Sequence, residues 1–111
     1  MTTPAPPFAS TATVPTAQAS RYLQQVCKHW EHNLAVTFTP DHGSVTFPHD
    51  ARGASHPGDA IVTFDAAPDA LSVRIAATSV EQRDGLKGAV ARHIDRFAFR
   101  EAPLPFAWVD E

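Results

Sequence analysis

The 111-residue chain lacks several features that would place it in a particular class of protein. It has one cysteine, Cys27, and so forms no internal disulfide. It has no run of about 18 apolar residues that would span a membrane, and its N-terminus lacks the basic flank and apolar stretch of a signal peptide. Nine Lys and Arg against twelve Asp and Glu give a net charge of −3, without the basic excess that attracts nucleic acids or anionic membranes. We therefore expect one cytoplasmic domain that binds neither nucleic acid nor membrane.

The common motifs of catalysis and cofactor binding are also missing. The sequence contains no G-x-S-x-G nucleophile elbow, no phosphate-binding P-loop, no dinucleotide-binding fingerprint and no paired C-x-x-C zinc motif. No cofactor is therefore expected. Catalysis stays open as a hypothesis, because catalytic groups are brought together by the fold rather than by position along the chain.

The N-terminal segment is unusual in composition. Residues 1–16, MTTPAPPFASTATVPT, contain no charged side chain and few large apolar ones. We expect residues 1–12 to form a flexible Pro/Ala/Thr-rich tail and residues 13–111 to form a single domain. Residues 10–14 alternate small and β-branched side chains, so whether they pair as a short edge strand before Pro15 is left open.

Two segments have the periodicity of amphipathic helices, residues 17–31 and residues 79–97. Thr16 stands where an N-cap residue of the first helix is expected. The apolar stripe of the first helix consists of Ala19, Leu23, Val26, Cys27, Trp30 and Leu34, and that of the second consists of Leu86, Val90, Ile94 and Phe97.

Between the helices, four short segments alternate apolar and polar residues, which is typical of a sheet with one face buried. They cover residues 35–39, 44–47, 59–65 and 71–75, with a turn at residues 40–43 and a loop at residues 48–58. The expected order is β-α-β-β-β-β-α. It predicts an α+β fold, an antiparallel sheet with two helices packed on one face, as in the TATA-binding-protein-like and helix-grip-like groups. Such a fold predicts no particular function.

Two stretches have a more specific sequence, ASRYLQQVCKHWEH at residues 19–32 and GLKGAVARHIDRFAFRE at residues 85–101. Together with His42-Gly43 and Phe47-Pro48, they resemble the DUF2218 family of small bacterial proteins of unknown function. The resemblance covers residues 13–108 and implies a bacterial, single-domain, cytoplasmic protein. It implies no activity, cofactor or catalytic residue.

The second predicted helix carries the strongest candidates for a binding site. His93 flanks the apolar stripe, where partial burial changes the titration of an imidazole. It is either a ligand contact or general base, or a boundary histidine that donates to a backbone carbonyl. Arg92, Arg96 and Arg100 follow at four-residue spacing, so they can bind a carboxylate or phosphate. Alternatively, they complement the helix dipole and pair with nearby acidic residues.

The first predicted helix supplies weaker candidates. His29 and Arg21 are possible further polar contacts at the mouth of such a site. His29 and His32 are three residues apart and share a face, but two imidazoles are only half of a metal site. Cys27 points about 160–200° away from His29 and lies on the apolar stripe, so we expect it in the core. No metal site is predicted. The group His42, His49, Asp50, His56 and Asp59 matches no metal motif and is expected to be solvated.

Three functional hypotheses follow. The favoured one is a non-catalytic module that binds a small ligand, with an anion among the candidates, beneath the second helix near His93 and Arg96. The second is a homodimeric or heteromeric interaction domain that uses the Thr/Ser-rich sheet face or an edge strand. The third is an enzyme with His93 as general base.

Overall fold

The computed structural model describes residues 7–50, 53 and 55–111. Within these ranges the chain forms a βαββββαβ arrangement, which confirms the predicted α+β class and adds a short C-terminal strand. The elements are β1 (Phe8–Pro15), α1 (Ala19–Trp30), β2 (Ala35–Phe38), β3 (His42–Phe47), β4 (Ala60–Ala66), β5 (Ala70–Ala77), α2 (Val80–Phe97) and β6 (Val109–Asp110).

The strands form one antiparallel sheet in the order β2-β3-β4-β5-β1-β6. Both predicted hairpins are present, with Val36 opposite Val45 in the first and Phe64 opposite Val73 in the second. No helix within the described ranges is long and apolar enough to cross a membrane.

Strand β1 corrects the expected extent of the N-terminal tail. It pairs with β5 along its whole length, from Phe8 opposite Ala77 to Pro15 opposite Ala70. The prediction of a flexible tail is therefore wrong for residues 8–12, whereas residues 1–6 lie outside the described residues. Small side chains suit this position, because Ala12 and Val14 are buried on the face that the helices cover. The ladder to β5 satisfies the backbone N–H and C=O groups of this segment, which in a flexible tail would be bonded to water.

The core lies between the two helices and one face of the sheet. The side chains of β4 and β5 that face the helices are inaccessible to solvent, namely Val62, Phe64, Leu71, Val73 and Ile75. Helix α1 contributes Cys27, which is fully buried as predicted. Burial raises the pKa of its thiol to about 11, so the side chain stays protonated and packs as a small apolar group.

Helix α1 approaches the sheet closely at Gly43 on β3. A Cβ atom on Gly43 would lie 2.7 Å from Cys27 Sγ and 3.5 Å from Leu23 Cδ2. No real Cβ contact is as short as the first of these distances, so the absence of a side chain at Gly43 permits this packing.

The ends of the helices are held by polar side chains. Gln18 rather than Thr16 is the N-cap residue of α1, but the Thr16 hydroxyl accepts a hydrogen bond from the Gln18 N–H at 3.1 Å. Ser79 caps α2 by accepting from the Gln82 N–H at 3.1 Å. Beyond α2, Glu101 accepts hydrogen bonds from the Tyr22 and Thr16 hydroxyls. The segments 19–32 and 85–101 therefore meet in space through Tyr22 and Glu101.

The C-terminal strand β6 is tied to its neighbours by charge. Asp110 lies 2.6 Å from Lys87 Nζ and 3.3 Å from an Arg83 nitrogen, both on α2. Glu111 lies 3.0 Å from Arg74 Nε on the opposite face of the sheet. The cations of these ion pairs are therefore Arg83 and Lys87 in the N-terminal half of α2 and Arg74 in β5.

Candidate functional site

A cavity of about 460 Å³ opens between α1, α2 and the segment that follows β3. This volume is within the range of small-molecule sites, about 300–1,000 Å³. The cavity has an aromatic and aliphatic wall and a set of polar groups. The apolar lining residues are Trp30, Leu34, Phe47, Pro48, Leu86 and Ala89, with Gly85 among them, and the polar ones are His29, Asn33, His56, Glu81, Gln82, Arg92 and His93.

Trp30 separates the cavity from the core. Its ring lies 5.2 Å from the Phe47 ring in an edge-on arrangement and 6.1 Å from the Phe64 ring, measured between centroids. The His93 ring also lies close to that of Trp30, 5.0 Å away between centroids. Because Trp30 is 94% buried, these neighbours fix the orientation of its ring. The cavity wall is therefore part of the packed core rather than a mobile surface.

His93 lies at the cavity and also bonds to the backbone, the two positions between which the sequence left a choice. Its Nδ1 lies 2.6 Å from the carbonyl oxygen of Ala89, one turn earlier in α2. A carbonyl only accepts, so Nδ1 carries a proton, and in the neutral ring Nε2 has a free lone pair. His93 thus donates to a backbone carbonyl and also lines the cavity. The backbone bond holds the ring and selects its tautomer.

His29 on α1 lies beside His93 on α2. The centroids of their rings are 5.5 Å apart, and the centroids of the His29 and Phe97 rings are 5.9 Å apart in an edge-on arrangement. Burial lowers the pKa of His29, and the positive potential of His93, Arg96 and His32 lowers it further. No carboxylate contributes to this shift. At neutral pH the His29 ring is therefore neutral in a positively biased environment.

The lowered pKa of His29 predicts a loss of stability in mild acid. The unfolded chain binds a proton at this side chain near pH 6.5, whereas the folded chain binds it only at lower pH. Stability contributed by neutral His29 is present above pH 6.5 and falls as the pH drops through the lowered value. Urea unfolding at pH 7.5 and 5.5 should therefore show a smaller loss for His29→Gln than for the wild type. His42→Gln is the control, because His42 is exposed and does not contribute to the pKa shift of His29. Equal losses in the wild type and His29→Gln would contradict the prediction.

The predicted arginines are not all at the cavity. Arg92 lines it, and Arg96 is close enough to His29 to influence its pKa without lining the cavity. Arg100 lies outside, with its guanidinium carbon 5.8 Å from the centroid of the exposed Phe99 ring. Arg21 borders a separate shallow depression on α1.

Sequence reasoning did not assign His56, Gln82 or Gly85 to this site. Gln82 is 95% buried at the start of α2 and joins this helix to the loop after β3. Its Oε1 accepts from the Thr78 N–H at 2.7 Å, and its Nε2 donates to the Gly58 carbonyl at 2.9 Å. His56 Nδ1 lies 3.2 Å from the Ser79 hydroxyl. This network holds one wall of the cavity in place.

The histidines of the turn and loop are divided among separate partners. His42 pairs with Asp65 at 2.7 Å, and His49 pairs with Asp59 at 2.9 Å. Both pairs are exposed, and the Asp59 carboxylate raises the pKa of His49. In the part of the chain that the structure describes, no three His, Cys, Asp or Glu side chains are grouped to hold a metal ion.

The fold and cavity define a small α+β protein with an open antiparallel sheet and two helices. The chain belongs to the DUF2218 family, described as an uncharacterized protein conserved in bacteria, whose model matches residues 11–109. Its structure is similar to the NMR structure of PA4090 from Pseudomonas aeruginosa, with a TM-score of 0.70 and 29% sequence identity. The match covers 92% of this chain and 95% of the other. No curated protein matches the sequence.

Proposed function

We propose that the protein is a non-catalytic binding protein that takes a small organic molecule into the cavity between α1 and α2. The aromatic wall formed by Trp30 and Phe47 supplies apolar contact area, and a few polar groups around it supply orientation. This combination is characteristic of small-molecule sites. The fixed position of Trp30 reduces the conformational entropy that binding would cost.

The proposal depends on the absence of a side chain at Gly85. It lies in the interior of α2, where glycine costs about 0.5–1 kcal/mol relative to alanine. A Cβ atom at Gly85 would meet no atom within 4 Å, so packing does not require the glycine. Gly88, one turn later, differs because the Arg92 guanidinium lies over it, 2.9 Å from a Cβ atom built there. Gly85 is exposed to solvent and lines the cavity, so its missing side chain leaves the cavity open at this point of α2.

Gly85 therefore supplies a direct test of binding. Gly85→Ala should raise the free energy of unfolding by about 0.5–1 kcal/mol, because it removes the glycine entropy cost without a clash. Gly85→Leu should keep the fold but occupy the cavity. We expect it to weaken binding of the neutral probe 2-naphthalenemethanol by about tenfold or more in titration calorimetry. Amide NMR shifts of the wild type on titration should be largest around Trp30 and Leu86.

The control is Ala67→Leu, which adds the same side chain at an exposed position in the turn between β4 and β5. It should bind the probe as the wild type does. If the wild type shows no binding of 2-naphthalenemethanol or 2-naphthoate, or if Gly85→Leu binds as well as the wild type, the cavity is not the ligand site.

A further inference from the structure

The lysines and arginines of the described chain fall into two groups. Arg74, Arg83 and Lys87 form ion pairs with Asp84, Asp110 or Glu111. Within residues 7–50, 53 and 55–111, no ion pair includes Arg21, Lys28, Arg92, Arg96 or Arg100. The remaining nine residues of the chain contain no Asp or Glu that would supply a partner. The uncompensated cations all lie on α1, on the C-terminal half of α2 or just beyond it.

Two of these cations lie in or near the cavity. Arg92 lines it, and Arg96 is near His29, which itself adjoins His93. The nearby carboxylates are engaged elsewhere: Asp95 accepts from the Leu104 N–H at 3.0 Å, and Glu101 accepts from Tyr22 and Thr16. The end of the cavity at Arg92 therefore has an excess of positive charge and of imidazole groups.

The opposite end of the cavity has a different character. The lining carboxylate, Glu81, lies eleven residues before Arg92, about 16 Å away along the helix. It is next to Gln82 in sequence, and His56 also lines the cavity. Gly85 and Leu86 lie between Glu81 and Arg92 along α2, and the ring of Trp30 lies beside that of His93, 5.0 Å away between centroids. The cavity is thus cationic at one end and apolar in the middle.

We propose that the ligand is an amphipathic organic carboxylate, with its carboxylate between Arg92, His29 and His93 and its apolar body beside Gly85, Leu86 and Trp30. This rests on the proposed function, since it names the chemical class of the molecule that the cavity binds. A guanidinium and two imidazoles at one end match a carboxylate by charge-assisted hydrogen bonding. The aromatic wall matches a planar or aliphatic body.

The tautomer of His93 determines whether a carboxylate can bind at its Nε2. Because Nδ1–H is bonded to the Ala89 carbonyl, the neutral ring presents a lone pair at Nε2, which repels a carboxylate. A carboxylate at Nε2 requires the doubly protonated ring. The other titratable or charged groups around it are His29 and His32 from α1, His56 from the loop after β3, and Glu81, Arg92 and Arg96 from α2. Because the ring must gain this proton to accept the carboxylate, lowering the pH should favour carboxylate binding.

The test compares three probes by calorimetry: 2-naphthoate, the neutral 2-naphthalenemethanol with the same ring system, and acetate. At pH 6.5 we expect 2-naphthoate to bind about tenfold more tightly than 2-naphthalenemethanol and far more tightly than acetate. On lowering the pH, only the affinity for 2-naphthoate should rise, with proton uptake on binding. Arg92→Gln should weaken 2-naphthoate about fivefold without affecting 2-naphthalenemethanol, whereas Arg100→Gln, outside the cavity, should change neither.

The outcomes separate this proposal from the one on which it rests. If 2-naphthalenemethanol and 2-naphthoate bind equally, the cavity is a ligand site but the carboxylate class is overturned. If acetate binds as tightly as 2-naphthoate, the site is a simple anion site and the amphipathic class is overturned. If neither naphthalene compound binds, the proposed function itself fails.

Discussion

Gly43→Ala is expected to lower the free energy of unfolding by about 1–3 kcal/mol, the usual cost of overpacking a core. The added Cβ atom would lie 2.7 Å from Cys27 Sγ, and 3.4 Å from Phe38 Cβ. Cys27 cannot simply turn away, because it is fully buried between α1 and the sheet. Either α1 must move outward or the strand must shift, and both disturb packing around Leu23. Urea unfolding at pH 7.5 measures the loss.

A double-mutant cycle with Cys27→Ala identifies the cause of the Gly43 effect. Removing Sγ should cost about 1 kcal/mol by itself, since it leaves a small void. In the double variant the new Cβ atom occupies that void, so the combined loss should be at least about 1 kcal/mol smaller than the sum of the single losses. Gly85→Ala is the matched control, because the same replacement meets open space there and should stabilise the protein. Additive losses at Gly43 and Cys27 would show that their contact is not the reason for the glycine.

Most of the fold was predictable because its signals are local. The alternation of Val62 and Phe64 with polar residues, and the helical spacing of Val90 and Ile94, each report burial on one face of one element. Strand β1 was less predictable, because its buried positions hold small side chains such as Ala12. Its place between β5 and β6 depends on pairing with residues about sixty positions away. A composition that indicates disorder is overridden when such a ladder is available.

The candidate site was predictable only in part, for a related reason. His93 was found because it flanks an apolar stripe, and His29 was named only as a further polar contact at the mouth of the site. The packing of α1 against α2 then brings their rings together. Arg100 has the same spacing from Arg96 as Arg92 does, but it follows the end of α2 and lies over Phe99 instead. The sequence has no signal for the open space at Gly85, because a glycine in a helix is ordinarily a sign of weak helix propensity.

The loop after β3 brings His56 to the cavity, and its attachment depends on Gln82. We expect Gln82→Leu to lower the free energy of unfolding by about 1–3 kcal/mol, the cost of leaving a buried donor without a partner. This donor is the Thr78 N–H, which donates a hydrogen bond to Gln82 Oε1 at 2.7 Å. The Gly58 carbonyl loses Gln82 Nε2 but keeps the Thr78 hydroxyl, 3.0 Å away, as a donor. The loss of stability therefore arises mainly at the start of α2.

The same variant connects the loop to binding. Without the Gln82 Nε2 bond to Gly58, the segment that carries His56 is held to α2 by fewer contacts, so amide hydrogen exchange near Gly58 should become faster than in the wild type. Binding of 2-naphthalenemethanol should weaken in parallel, since one cavity wall is less ordered. Gln24→Leu is the control, because Gln24 bonds only to Ser20 on the same helix and its replacement should leave exchange in the loop unchanged. If Gln82→Leu were destabilising with no change in exchange near Gly58, the glutamine would serve α2 alone. The ordered wall would then have to depend on the contact between His56 and Ser79.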